Sequence, residues 1–205
     1  KVASYDCASY QMLRELAAEF ETLFVSTGAT FDDEVVAATK ILDSTGVDYS
    51  ILHCVTQYPT PLESMNLRRI RWLESLCNNV GFSDHSLVER DGVLASKAAL
   101  VSGASFVERH FTILDPGQTR DGPVSIDKNG LRDLIRFSKL KVEDQIAELD
   151  ESMANWRVML GDATRELSDE ELQNRDYYRG RFATARREGR NLATEMIQNW
   201  EETPV

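Results

Sequence analysis

The sequence predicts an α/β fold built from about five parallel βα units. Short apolar runs alternate with longer amphipathic segments over residues 1–149 of the 205-residue chain. The connections between these segments are short, which is typical of parallel βαβ units. The apolar runs are nearly continuous, as expected for strands that are buried on both faces. A doubly wound sheet and a partial (β/α)8 barrel both fit this pattern.

Each predicted element follows from a local signal. The predicted strands are Val2–Ser4, Thr22–Ser26, Tyr49–Val55, Val80–Ser83 and Ser105–His110. The predicted helices are Tyr10–Phe20, a helix from Asp32 or Asp33 to Leu42, Asn66–Cys77, Val93–Ser102 and a long helix from Lys128 to Leu149. Gly46 is a stop signal for the second helix. Pro59 and Pro61 predict a loop after the third strand, because proline fixes φ and lacks an N–H donor.

The composition limits the cellular location and the kinds of binding partner that we expect. The formal net charge of −11 argues against nucleic acid as a partner. The one dense basic stretch, Arg175–Arg190, is interpreted as a solvated helix face or a subunit contact rather than an RNA site. No apolar run approaches the about 20 residues of a membrane helix, so no membrane partner is expected. Three cysteines without a CxxC spacing predict neither a disulfide framework nor a zinc site, and they favour a cytoplasmic location.

The three histidines, His53, His85 and His110, all lie in or just after predicted strands. The carboxyl ends of parallel strands form the active-site face of α/β proteins. His85 follows the fourth strand and His110 ends the fifth, and neighbouring parallel strands are about 4.8 Å apart. We therefore favour one divalent metal shared by His85 and His110 over two separately hydrogen-bonded histidines.

Other polar residues are predicted at the same strand ends. Glu108 and His110 are two residues apart, so they share a strand face, and a buried glutamate there is costly unless it serves the site. The alternative for Glu108 is a salt bridge to a lysine or arginine of a neighbouring strand. Lys1 and Ser4 flank the first strand, where they can grip a phosphate or carboxylate, and Ser83 adds a hydroxyl. No glycine-rich nucleotide fingerprint occurs, so neither NAD nor ATP is predicted.

Five short blocks occur in order between Lys1 and Thr112. They read KVAS (1–4), VSTG (25–28), HCVTQYPTP (53–61) followed by NLR (66–68), GFSDH (81–85) and VERHFT (107–112). Together these blocks resemble the sialic acid (N-acetylneuraminate) synthase family. Five blocks in one register are a far more specific signal than any one of them.

The resemblance implies a parallel (β/α)8 TIM-type barrel followed by a small antifreeze-like domain. This chain would supply about the last five βα units, with residues 1–149 forming the partial barrel and catalytic region. We expect the remaining units from chain preceding Lys1 or from another polypeptide, because soluble proteins avoid open sheet edges. Charged residues dominate after Leu149, so residues 150–205 are expected to be a mostly helical extension with loops, without the antifreeze-like domain.

The resemblance also implies an activity. The family condenses phosphoenolpyruvate with an N-acetylated amino-sugar aldehyde, such as N-acetylmannosamine, to a nine-carbon 2-keto sugar acid and releases phosphate. His85 and His110 match the ligands of a divalent metal, Mn²⁺ or alternatively Mg²⁺ or Co²⁺. The implied catalytic residues are Glu108, Tyr58 and His85, and the implied substrate contacts are Lys1, Ser4, Thr56, Tyr58 and Ser83. The implied assembly is a homodimer.

Two positions depart from the family pattern. Thr56 stands where asparagine is usual, and Val124 follows Gly122-Pro123 where aspartate is usual, although Asp121 lies nearby. Two other interpretations therefore stay open. One is a different metal-dependent aldolase or hydrolase, because barrels host many chemistries. The other is a non-catalytic homologue that acts as a binding module.

Overall fold

A computed structural model of the protein describes residues 1–178, 182–188 and 191–197. The strands in these ranges are β1 (Thr22–Ser26), β2 (Asp48–Cys54), β3 (Val80–Asp84), β4 (Phe106–Arg109), β5 (Phe182–Glu188) and β6 (Asn191–Ile197). The α-helices are α1 (Tyr10–Glu19), α2 (Asp32–Thr45), α3 (Arg69–Glu74), α4 (Val88–Asp91), α5 (Leu94–Val101), α6 (Lys128–Ser138), α7 (Val142–Ser152) and α8 (Asp169–Tyr178). The strand order in the main sheet is β1-β2-β3-β4, which is also the chain order.

The chain forms two compact units. The first consists of Lys1–Tyr49 with Leu167–Val205, and the second of Ser50–Glu166. The predicted boundary between residues 149 and 150 lies inside α7, which belongs to the second unit.

The second unit is built on parallel strands. Ile51 to Cys54 of β2 pair with Val80 to Ser83 of β3, and Gly81 to Asp84 of β3 pair with Phe106 to Arg109 of β4. All five residues of β3 are buried, as expected for a parallel strand that is covered on both faces. Helix α5 packs on β3 and β4 and buries Ala95, Ala98 and Ala99. These small side chains let the helix approach the sheet closely.

Two parallel bridges continue the sheet beyond the strand ends. Thr60 bridges to Ser86, and Phe111 bridges to Ile126. As a result, the His85 carbonyl accepts a hydrogen bond from Thr60 N at 2.8 Å, and the His110 carbonyl accepts one from Ile126 N, also at 2.8 Å. The backbone of each histidine is thereby attached to a neighbouring loop.

A later segment of the second unit is attached to the start of α3. The backbone N–H groups of Leu67 and Arg68 donate to the carbonyls of Met159 and Leu160, both at 2.9 Å. The Arg68 guanidinium donates to the Gly161 carbonyl at 2.6 Å. Gly161 has φ +45°, and a Cβ there would lie 2.3 Å from the side-chain oxygen of Asn66, so this close approach requires glycine.

In the first unit, α1 and α2 bury Leu13, Val35 and Leu42 completely. Helix α8 is attached to the start of α2 through one arginine. Arg175 forms an ion pair with Glu34 of α2 and donates to the Ala29 carbonyl at 2.7 Å. Its guanidinium also lies 4.6 Å from the ring centre of Phe31, close enough for a cation–π contact.

Parallel βα architecture is confirmed, with three differences in its elements. The predicted strand Val2–Ser4 is reduced to a single bridge between Val2 and Val25, because Ser4–Asp6 forms a 3₁₀ turn instead. The predicted helix Lys128–Leu149 is two helices, since Lys141 is extended and Gln145 Nε2 donates to the Phe137 carbonyl at the end of α6. Helix α3 starts later than predicted because Asn66 has φ +49°.

Two described stretches after residue 149, Phe182–Glu188 and Asn191–Ile197, are strands rather than the helix predicted for this region. Strands β5 and β6 pair in antiparallel fashion, from Phe182 with Ile197 to Glu188 with Asn191. The absence of the antifreeze-like domain stays a prediction, as does closure of the main sheet into an eight-stranded barrel.

None of the helices in the described part of the chain combines the length and the apolar character needed to cross a membrane.

Candidate active site

Along β3 and β4 and the residue after each, three pairs of residues form a ladder on one face. Gly81, Ser83 and His85 alternate along the first strand, and Phe106, Glu108 and His110 alternate along the second. In the first two pairs the residues are register partners. The Ser83 hydroxyl donates to Glu108 Oε1 at 2.7 Å. The third pair lies at the strand ends, where the two imidazole centres are 5.3 Å apart.

His85 is held from two sides. Its Nδ1 lies 3.2 Å from the Val55 carbonyl, and its Nε2 lies 2.8 Å from the Tyr58 hydroxyl. A carbonyl can only accept, so Nδ1 carries the hydrogen and Nε2 presents its lone pair to the Tyr58 hydroxyl. The Tyr58 ring also stacks on the imidazole, with a centre-to-centre distance of 4.0 Å. The Cys54 thiol lies 3.8 Å from the same Nδ1.

The charge state of His85 follows from its burial. Removal from water lowers the pKa of His85 to about 4, even though the Val55 carbonyl and Asp84 raise it. The imidazole is therefore neutral at physiological pH. A neutral imidazole with a fixed tautomer is the form in which histidine binds metal ions.

His110 is the more exposed of the two histidines. About a third of its side chain is accessible, and its Nδ1 lies 3.9 Å from Asp121 Oδ2. Its ring meets Tyr58 edge-on at 6.1 Å. The pair therefore has one buried imidazole and one facing solvent, with a carboxylate beside the latter.

The distance between the two imidazole centres is compatible with one divalent ion between them. Two imidazoles bound at about 2.1 Å through nitrogen have ring centres about 5 Å apart at a near-tetrahedral angle. The observed 5.3 Å agrees with that value. No group of three or more His, Cys, Asp or Glu side chains in the described ranges is arranged to hold a metal. Within those ranges, the histidine pair would thus supply two ligands, and the Tyr58 hydroxyl would have to leave Nε2 of His85.

The model of the NeuB family matches residues 1–148 of this chain. The chain belongs to the NeuB family. This finding confirms the resemblance to the sialic acid synthases that the five sequence blocks indicate.

Individual relatives are similar at moderate identity. The chain is 28% identical to a pseudaminic acid synthase of Campylobacter jejuni (strain 81-176) over 90% of its length and 49% of the relative. The crystal structure of the spore coat polysaccharide biosynthesis protein SpsE of Bacillus subtilis matches with a TM-score of 0.69 and 26% identity, over 94% of this chain and 55% of that one.

A second solved structure is similar to the chain. The N-acetylneuraminic acid (sialic acid) synthetase of Leptospira borgpetersenii serovar Hardjo-bovis, in complex with citrate, matches with a TM-score of 0.59 and 26% identity. The match covers 85% of this chain and 55% of the Leptospira chain. The chain spans about half the length of the curated relatives it matches.

Among the residues predicted for this NeuB-family chain, five lie around the ladder in the second unit. They are Tyr58, Ser83, His85, Glu108 and His110. Thr56 follows β2 and is buried. Lys1 and Ser4 belong to the first unit, where the Ser4 carbonyl accepts a hydrogen bond from Thr30 at 3.1 Å. Contacts of Lys1, Ser4 and Thr56 with a substrate stay predictions.

Sequence reasoning missed part of the site. Asp121 is noted only as a neighbour of the altered Val124, yet its carboxylate lies beside His110 while Val124 is buried. The Val55 carbonyl, which sets the tautomer of His85, carries no signal in its side chain. The alternation of side chains along each strand is a signal for a further pair on the opposite face, Asp84 and Arg109, which face the helices.

Proposed function

We propose that this NeuB-family chain carries the metal-binding part of a synthase that condenses phosphoenolpyruvate with an N-acetylated amino-sugar aldehyde. The product would be a nine-carbon 2-keto sugar acid of the sialic acid type. The observation that carries this proposal is the facing pair of imidazoles, 5.3 Å apart, beside Tyr58 and the Ser83–Glu108 hydrogen bond. The names of the similar synthases support the substrate class.

In the proposed reaction, a bond forms between C3 of phosphoenolpyruvate and the aldehyde carbon. The aldehyde oxygen takes up a proton and becomes a hydroxyl. The oxygen of a water molecule adds to C2, and the C2–O bond to phosphate breaks with its electron pair. Collapse of that centre leaves the 2-keto group and inorganic phosphate, so atoms and charges balance.

His85 and His110 would hold the divalent ion, Mn²⁺ or alternatively Mg²⁺ or Co²⁺. When bound, the ion supplies Lewis acidity that polarises the aldehyde oxygen. The His85 imidazole suits this role because it is neutral and its Nδ1 hydrogen is held by the Val55 carbonyl. The Asp121 carboxylate lies 3.9 Å from His110 Nδ1, and a movement that closes this gap to hydrogen-bond distance would let it orient that ring.

The remaining side chains have roles in positioning and proton transfer. Glu108 is held by Ser83 and has the geometry to accept or donate a proton at the inner face. The Tyr58 hydroxyl, once it leaves His85 Nε2, can donate to a substrate oxygen. Lys1, Ser4, Ser83 and Thr56 are proposed to bind the phosphate, carboxylate and hydroxyl groups of the substrates. A homodimer in the cytoplasm is part of the proposal.

The test is phosphate release by the whole protein with phosphoenolpyruvate and a panel of N-acetylated amino sugars, with Mn²⁺, Mg²⁺ or Co²⁺ and with a chelator. Wild type with Mn²⁺ is expected to form phosphate and a 2-keto sugar acid in equal amounts. His85→Gln and His110→Gln should lose both activity and Mn²⁺ binding. His53→Gln is the matched control, because His53 bonds the Met65 carbonyl at 2.6 Å and lies outside the ladder.

Two results would overturn the proposal. One is the absence of phosphate release with every sugar of the panel and with each of the three metals. The other is activity that survives both substitutions. Phosphate released without any sugar would indicate a hydrolase instead, and Mn²⁺ binding without turnover would indicate a binding module.

A further inference from the structure

A buried ion pair lies on the helix-facing side of β3 and β4, behind the two histidines. Asp84 is fully buried, and the Arg109 side chain is 4% exposed. Asp84 also accepts hydrogen bonds from Ser86 N at 2.8 Å and from Ser96 Oγ at 2.5 Å. Arg109 donates to the Ser86 hydroxyl at 2.8 Å, to the Ser86 carbonyl at 3.1 Å and to the Gly92 carbonyl at 3.3 Å.

Each member of this network adjoins a histidine in sequence. Asp84 precedes His85 and Ser86 follows it, while Arg109 directly precedes His110. One guanidinium therefore bonds the residues on both sides of His85, and its own backbone leads into His110. Because side chains alternate along a strand, the network lies on one face and the two imidazoles on the other.

Stability alone does not account for such a network. Desolvation of two charges offsets most of their attraction, so an apolar pair of similar volume would serve the fold as well. Arginine contributes something that an apolar side chain lacks. Its planar fork fixes several acceptors in one geometry, and here those acceptors lie on β3, on the turn after it and at Gly92.

We propose that the Asp84–Arg109 pair, acting through Ser86, sets the separation and ring orientation of His85 and His110. Asp84 and Arg109 are positioning residues, since neither faces the imidazole side of the strands. The purpose of this positioning rests on the proposed function, because a fixed distance between the two rings matters when both bind one ion. Its physical content, the orientation of the rings, does not depend on that function.

The test removes the ion pair without leaving a buried charge. Asp84→Leu/Arg109→Met replaces both partners by apolar side chains, a change that buried ion pairs often tolerate. Arg71→Met/Glu74→Leu is the matched control, because that ion pair lies at the surface of the same unit. Ser96→Ala is a milder variant that removes one hydrogen bond from Asp84.

Two readouts are used on the whole protein. The long-range ¹H–¹⁵N spectrum of the metal-free protein reports which ring nitrogen carries the hydrogen in each of the three histidines, assigned with single His→Gln variants. Calorimetry with Mn²⁺ alone gives the affinity. The Asp84→Leu/Arg109→Met variant should show mixed tautomers at His85 and an affinity about 10- to 100-fold lower, as is usual when outer partners of a metal ligand are lost. The control variant should match wild type in both readouts.

The outcomes separate this proposal from the proposed function. Unchanged spectra and unchanged affinity in the folded apolar variant would overturn it. Altered tautomers in a protein whose wild type does not bind Mn²⁺ would support the positioning role and remove the metal from the proposed function. If the apolar variant does not fold, the spectrum of Ser96→Ala tests the proposal instead. A His85 tautomer in Ser96→Ala that is the same as in wild type would overturn the proposal.

Discussion

Replacement of Gly81 by alanine should strain the lowest pair of the ladder. Gly81 in β3 faces the Phe106 ring in β4, and a Cβ added at Gly81 would lie 2.4 to 2.7 Å from three ring atoms. Carbon atoms in contact are normally about 3.5 to 4.0 Å apart. The ring must therefore shift, and the shift would reach the Ser83–Glu108 hydrogen bond one pair further along the strands.

The expected size follows from two opposing effects. Alanine restricts the unfolded chain and by itself favours the strand by about 0.5 to 1 kcal/mol. Overpacking of a fitted site costs about 1 to 3 kcal/mol. Because three ring atoms would lie well inside contact distance, the overpacking cost falls in the upper part of its range, about 2 to 3 kcal/mol. The free energy of unfolding of Gly81→Ala should thus fall by about 1 to 2.5 kcal/mol, which in a chain of this length lowers Tm by roughly 2 to 10 °C.

Thermal denaturation followed by circular dichroism measures this change. Gly117→Ala is the matched control, because a Cβ there meets nothing within 4 Å and its Tm should stay close to wild type. Gly81→Ala/Phe106→Leu should recover part of the loss, since leucine occupies less of the contested space. Equal Tm values for Gly81→Ala and Gly117→Ala, or no recovery with leucine, would show that this reasoning is wrong.

Three further predictions concern single side chains. As pH falls from 7 to 5, wild type should lose about 2 kcal/mol of unfolding free energy through the burial of His85. The unfolded imidazole, with its ordinary pKa of 6.5, binds a proton in this range, whereas the folded imidazole, with a pKa of about 4, does not. Urea titrations of His85→Gln should lack this loss. Arg175→Met should lower the free energy of unfolding by about 2 kcal/mol, because it removes the cation from the partly buried Glu34. Arg157→Met, at a half-exposed pair, should cost about 0 to 1 kcal/mol in the same titration. Tyr58→Phe removes the hydroxyl that bonds His85 Nε2 and should lower kcat about tenfold, with an unchanged Tm.

Each of these three has a contradicting result. An identical pH dependence in wild type and His85→Gln would contradict the burial of that imidazole. Equal losses in Arg175→Met and Arg157→Met would contradict the partly buried ion pair in the first unit. A large fall in Tm for Tyr58→Phe would mean that the hydroxyl supports the fold rather than the reaction.

The positions of the strands follow from local sequence. Thr22–Ser26 is found as predicted, and Val80 begins its strand as predicted, because short apolar runs bounded by turn residues leave few alternatives. The helices were harder to delimit. The amphipathic pattern runs on past Ser138, but α6 ends there because Lys141 is extended, and the Gln145 side chain donates to the Phe137 carbonyl at the end of α6.

The part of the site that the sequence predicts consists of ionisable residues at the ends of predicted strands. His85, His110 and Glu108 can be placed on one face from their spacing and strand ends alone. Their precise surroundings depend on contacts between residues far apart in sequence. Tyr58 meets His85 across 27 residues, and that contact depends on the fold rather than on any local signal.

The attachment of residues 159–161 to the start of α3 has a consequence for biosynthesis. Leu67 and Arg68 leave the ribosome long before their partners at Met159 to Gly161 have been translated. The nascent chain must therefore keep these donors hydrated until the later segment emerges. A translation product that stops short of Met159 would never complete this helix start, even though every residue of β2, β3 and β4 is already present.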